Sequence, residues 1–136
     1  MTHPDKYLQH PKAIGLRIEA CSSLPNSAQT LPLGLIINTQ EAFQPGGFVR
    51  ISHPSLCPET EIHASVLWCR RQDSGYQLAL EFRSEEDLYR VRLLEQLCYI
   101  KLYQVERQRL GEKLSFDRAA EQWIAEYAAH FPADGL

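Results

Sequence analysis

Arg70 and Arg71, the only adjacent basic pair in the chain, are the side chains best suited to recognition chemistry. Two guanidinium groups can hold a phosphate through bidentate hydrogen bonds, although such a pair at a strand end more often faces solvent. Reaction chemistry has less to draw on. The chain contains no G-x-S-x-G, H-E-x-x-H, G-x-x-x-x-G-K-[ST] or G-x-G-x-x-G string. The hydrolase elbow, the zinc hydrolase, the phosphate loop and the dinucleotide fold therefore lack their residues. His53 precedes a proline and His63 alternates with apolar neighbours, so both read as surface histidines, while His10 and His130 fall near the ends of the globular unit. Cys21, Cys57, Cys69 and Cys98 are widely separated and lack the close spacing of a zinc knuckle or a redox pair. They read as small hydrophobes, and no pair of them is expected to form a disulfide. No catalytic residue, no metal site and no enzyme is expected.

The groups that must be positioned sit in a chain of 136 residues, 44% hydrophobic and 23% charged, which suits one domain spanning residues 1–136. A net charge of -3 gives no general attraction to nucleic acid, and aromatic and basic residues do not interleave as a stacking platform requires. No nucleic-acid partner is expected. No apolar run approaches the roughly 18 residues needed to span a bilayer, so membrane insertion is not expected. The polar start Met1-Thr2-His3-Pro4-Asp5-Lys6 leads into no signal core, which makes a cytoplasmic location the expectation.

The hydrophobic period changes near Ser84. Before it, Ile14, Leu16, Ile18 and Ala20 alternate with polar residues, as do Leu33, Leu35 and Ile37, and Pro45-Gly46-Gly47 marks a turn before Val49 and Ile51. Ile62, Ala64, Val66 and Trp68 share one strand face and Tyr76, Leu78, Leu80 and Phe82 another. The intervening Arg71-Gln72-Asp73-Ser74-Gly75 predicts an antiparallel hairpin with Trp68 in the core. At least five short strands without an intervening helix predict a small antiparallel β-barrel over about residues 12–83, with an open sheet covered by helices as the alternative.

From Ser84 the pattern is helical, with Ser84 and Asp87 spaced as a reciprocal cap and a stripe of Leu88, Val91, Leu94, Cys98, Leu102 and Val105. Gly111 is a stop signal. A second helix is predicted from Ser115 to about Phe131, presenting Phe116, Ala120, Trp123, Ile124, Tyr127 and Phe131, so the helical extension covers about residues 84–131. The fold class is thus mainly β with two C-terminal helices. Leu93, Leu97 and Ile100 form a second apolar group on the first helix. That face needs either the second helix or a partner to cover it, and a monomer or weak homodimer is expected because the short Gly111–Leu114 link lets the second helix fold back.

Segment order and several strings resemble the PilZ family, the small β-barrel domains of bacterial cyclic di-GMP signalling. The strings are Gly34-Leu35-Ile36-Ile37, Gln44-Pro45-Gly46, Ala64-Ser65-Val66-Leu67-Trp68-Cys69-Arg70 and Gly75-Tyr76-Gln77-Leu78-Ala79-Leu80-Glu81-Phe82. The tail is similar to the helical extension of one subgroup through Leu94-Glu95-Gln96-Leu97-Cys98-Tyr99-Ile100 and Ala119-Ala120-Glu121-Gln122-Trp123-Ile124. The resemblance covers about residues 9–132.

Family members that bind cyclic di-GMP carry R-x-x-x-R before the barrel and [DN]-x-S-x-x-G on its surface. The resemblance maps the first motif onto Gln9-His10-Pro11-Lys12-Ala13, where both arginines are lost and Lys12 supplies a point charge without a planar fork. It maps the second onto Gln29-Thr30-Leu31-Pro32-Leu33-Gly34, of which only Gly34 remains. Each lost charge-assisted hydrogen bond costs roughly 1.5 to 3 kcal/mol. Several such losses cancel a micromolar affinity of about 8 kcal/mol. The resemblance therefore implies a non-enzymatic adaptor without a bound cofactor, whose protein partner belongs to cyclic di-GMP signalling, motility or pilus assembly, and the apolar pattern of the first helix makes Leu93, Leu97 and Ile100 the expected interaction face. The alternative is a cyclic di-GMP receptor that uses Lys12, Arg17, Arg70 or Arg71 at an altered site.

Overall fold

A computed structural model of the chain describes Pro4, residues 6–21 and residues 31–131. The strands are β1 (Lys6–Gln9), β2 (Arg17–Cys21), β3 (Leu33–Thr39), β4 (Phe48–His53), β5 (Cys57–Gln72) and β6 (Gly75–Glu81). They are followed by α1 (Glu85–Arg109), α2 (Phe116–Tyr127) and a 3-10 turn at Ala128–His130. The fold is a six-stranded sheet in the order β1-β3-β6-β5-β4-β2 followed by two helices.

This arrangement corrects the barrel expectation. β1 pairs only with β3 and β2 only with β4, so among the described residues the two outer strands do not meet and the sheet stays open. The sheet also begins at Lys6 rather than near residue 12, and its first pairing, β1 with β3, is parallel while all others are antiparallel. Four residues of mixed polarity carry too little periodicity to announce β1 in the sequence.

One core spans sheet and helix. Leu35, Ile37, Ile51, Ile62, Leu78, Leu80 and Phe82 are buried together with Val91, Leu94 and Cys98 of α1. The predicted alternation of Ile14, Leu16, Ile18 and Ala20 holds in part: the first three are half-buried and packed on that core, although Ile14 and Leu16 precede β2, whereas Ala20 is exposed.

The β5–β6 hairpin is antiparallel as predicted, but Trp68 is not in the core. The register passes from Val66↔Leu80 to Trp68↔Ala79, leaving Leu67 as an extra residue. A single-residue bulge reverses the face of everything beyond it. Cys69 consequently packs on the core, and Trp68 lies half-buried on the other face beneath the Arg70 guanidinium, 3.9 Å from the ring centroid. The bulge falls where the β3–β4 turn meets β5: Gly46 N–H donates to Val66 O and Val66 N–H to Gly47 O.

Ser84 caps α1 by accepting from Asp87 N–H at 3.0 Å. The Asp87 carboxylate does not complete the reciprocal cap at Ser84 N–H. It accepts from Ser84 Oγ and from the His63 backbone N–H, fastening the start of α1 to β5. The helix ends in a Schellman motif at Gly111, φ +96°, with Gly111 N–H bonded to Gln108 O and Glu112 N–H to Arg107 O.

α2 folds back as expected, burying Ile100 against Ala119 and Trp123. The apolar face proposed for Leu93, Leu97 and Ile100 is therefore divided. Ile100 belongs to the helix–helix core, Leu97 is half-buried, and Leu93 is exposed, as is Tyr89 one turn before it. Val105 also departs from the predicted stripe and is exposed. Of the face predicted for α2, Trp123 is buried whereas Ile124 and Tyr127 are exposed.

Candidate functional site

The chain segment between β1 and β2 crosses one end of the sheet and there meets the β3–β4 loop and the β5–β6 turn. Together they line an open cavity of about 500 Å³ whose wall includes His10, Lys12, Asn38, Thr39, Glu41 and Tyr76. Among the described residues Lys12 is the only lysine or arginine on that wall, and Glu41 on the same wall carries the opposite charge. The Asn38 Oδ1 atom is buried without a hydrogen-bond partner. Gly75, φ +141°, closes the rim against the Thr39 backbone, where a Cβ would collide with the Thr39 carbonyl oxygen.

The residues singled out from sequence are dispersed around this cavity. Gln9 ends β1, and its carbonyl accepts from Tyr99 Oη at 2.7 Å. Lys12 is exposed on the cavity wall. Arg70 and Arg71 are exposed on β5 and do not line the cavity, although Gln72 next to them does. Arg17 lies opposite Ser52 in the β2–β4 ladder. Gly34 sits at the other end of β3, opposite Glu81, with a wall formed by the Tyr7 ring and the Leu80 carbonyl. Thr39 lies five residues along β3 from Gly34, roughly 16 Å at strand rise. Gln29 lies outside the described residues, and Leu31 of the same stretch is buried. Among the described residues, Lys12 lines the cavity and Gly34 does not.

The structure assembles instead a cluster that sequence reasoning missed. His10 is buried, not peripheral: its Nδ1 lies 2.6 Å from Glu95 Oε2, and its Nε2 2.5 Å from the Ile14 carbonyl oxygen. A carbonyl oxygen can only accept, so Nε2 carries a proton. Glu95 is fully buried, and its second oxygen, Oε1, has no hydrogen-bond partner. Cys98, one helical turn further along α1, brings its sulfur to the same place, and the three donor atoms lie within 4.8 Å of one another. The available signal was a glutamate three residues before Cys98 and four after Val91, which puts it beside the buried stripe.

His53 shows a different use of a ring nitrogen. Its Nδ1 accepts from both Ser55 N–H and Leu56 N–H at 3.0 Å. Burial holds its pKa below the ordinary 6.5, and the nearby His10 acts in the same direction, against an opposing backbone hydrogen bond. Burial likewise pushes the Tyr99 phenol up, with Glu95 and Cys98 contributing.

No protein-family model, curated protein or solved structure matches this chain. Among the described residues no helix is long and apolar enough to cross a membrane.

Proposed function

We propose that this chain is a PilZ-type signalling module that acts through protein contact, without catalysis and without holding cyclic di-GMP in the family's usual mode. The partner class is a protein of cyclic di-GMP signalling, motility or pilus assembly, and the setting is the bacterial cytoplasm. The observation that carries the reading is the charge of the cavity. A dianionic dinucleotide needs guanidinium groups aimed at its phosphates, whereas this wall offers Lys12 opposed by Glu41, and Arg70 and Arg71 stand outside it. The open six-stranded sheet stands in this reading where the family has its barrel. Contact with the partner falls to the uncovered Tyr89 and Leu93 of α1, with Leu97 at their margin.

Calorimetric titration of the chain with cyclic di-GMP tests this reading, with no heat expected up to ligand concentrations of tens of micromolar. A stoichiometric isotherm in the low micromolar range overturns it in favour of a receptor using Lys12, Arg17, Arg70 or Arg71. Light scattering is expected to give a mass at or little above the chain mass of 15.6 kDa, falling to it on dilution.

A further inference from the structure

We infer that His10, Glu95 and Cys98 form a zinc site that clamps the segment after β1 onto α1. The His10 ring is oriented as a ligand should be. Its Nε2–H is committed to the Ile14 carbonyl, the arrangement by which metal-bound histidines commonly fix their tautomer, and this leaves Nδ1 on Glu95, with the Cys98 sulfur in the same cluster. Nδ1 and Oε2 stand 2.6 Å apart, so a cation must lie between their lone pairs. In the metal-free chain that cation is a proton. The second oxygen of the same carboxylate, Glu95 Oε1, is buried without a hydrogen-bond partner, so it has a lone pair to offer an ion.

The donor set selects the ion. Imidazole, carboxylate and a thiol able to ionise match the borderline-soft Zn²⁺, whereas Mg²⁺ and Ca²⁺ take oxygen ligands. Tetrahedral bonds of about 2.0 to 2.3 Å place donor atoms roughly 3.3 to 3.8 Å apart. The ring and carboxylate must therefore part by under about 1 Å while the sulfur draws in, all within the present 4.8 Å spread. Loading exchanges the ion for the proton between His10 and Glu95 and the proton of the Cys98 thiol, leaving the cluster neutral. His10 forms part of the cavity wall, which gives the ion an entry path.

The test uses the full chain, stripped with chelator and titrated with zinc chloride. One ion per chain is expected, with X-ray absorption of the loaded protein showing one sulfur at about 2.3 Å and nitrogen or oxygen at about 2.0 Å. Changing the outer partners of a metal ligand already costs about 10- to 100-fold in affinity, so Cys98→Ser and His10→Gln should each weaken binding at least a hundredfold. A variant with Cys21, Cys57 and Cys69 all changed to Ser should keep both the affinity and the single sulfur. Absence of micromolar binding, an absorption spectrum without sulfur, or a sulfur lost in the triple variant overturns the assignment. The spectrum of the unmodified chain and that of the triple variant decide the matter even where Cys98→Ser fails to fold.

Discussion

His10 Nδ1 and Glu95 Oε2 lie 2.6 Å apart, with side-chain exposures of 2% and 0%, and join a loop near the start of the chain to the middle of α1 across 85 positions of sequence. Desolvation makes such a pair costly to form and still more costly to break, because the remaining group is left polar and unpaired. Glu95→Ala is expected to destabilise the metal-free chain by about 3 to 5 kcal/mol. In a double-mutant cycle in urea with His10→Leu, the combined loss should be clearly smaller than the sum of the two single losses. Additive losses would show that the contact contributes nothing as a pair.

Phe82 and Trp68 separate the two faces of the bulged hairpin. Phe82 is fully buried, so Phe82→Ala should cost about 3 to 5 kcal/mol. Trp68 is half-buried and capped by Arg70, and Trp68→Ala should cost only about 1 to 2 kcal/mol. Equal losses in chemical denaturation would return Trp68 to the core and remove the bulge at Leu67.

Gly75 and Gly111 both hold positive φ, but their surroundings differ. At Gly111 a Cβ meets nothing within 4 Å, so Gly111→Ala should cost about 1 kcal/mol from backbone conformation alone. At Gly75 the Cβ also runs into the Thr39 carbonyl, and the loss should exceed about 2 kcal/mol. Thermal unfolding of the two variants ranks them directly, and the reverse order would contradict the rim geometry of the cavity.

His53 sets a pH dependence. Because folding holds its pKa below 6.5, the unfolded chain binds the extra proton first as the solution is acidified. Its contribution to stability is complete above about pH 6.5 and is lost as the pH falls through the depressed folded value. An NMR titration of the His53 ring should give a midpoint below 6.5, and His53→Asn should reduce the acid-side loss of urea resistance. A midpoint at or above 6.5 would contradict the environment described for this ring.

Leu93 and Ile100 test how α2 divides the face of α1. Leu93→Glu should change stability by no more than about 0.5 kcal/mol, as exposed positions generally do. Ile100→Glu buries a charge against Trp123 and should abolish the packing of α2, which near-ultraviolet circular dichroism of the tryptophans reports.

Local patterning by itself determined the order of elements after β1 and most of the core. Alternation marked Leu35, Ile37, Leu78 and Leu80, and the change of period at Ser84 together with Gly111 set the limits of α1, because side-chain direction follows a period of two in strands and 3.6 in helices. Tertiary structure decided what depends on the partner strand or on distant segments. The bulge at Leu67 is fixed by where the Gly46–Gly47 turn meets β5, and it moves Trp68 out of the core despite an unbroken alternation in the sequence. Closure of the sheet depends on whether β1 and β2 meet, which no local pattern encodes. The His10–Glu95–Cys98 cluster arises only when the loop after β1 is laid against α1, since contact between residues 85 apart is made by packing and leaves no mark in their spacing.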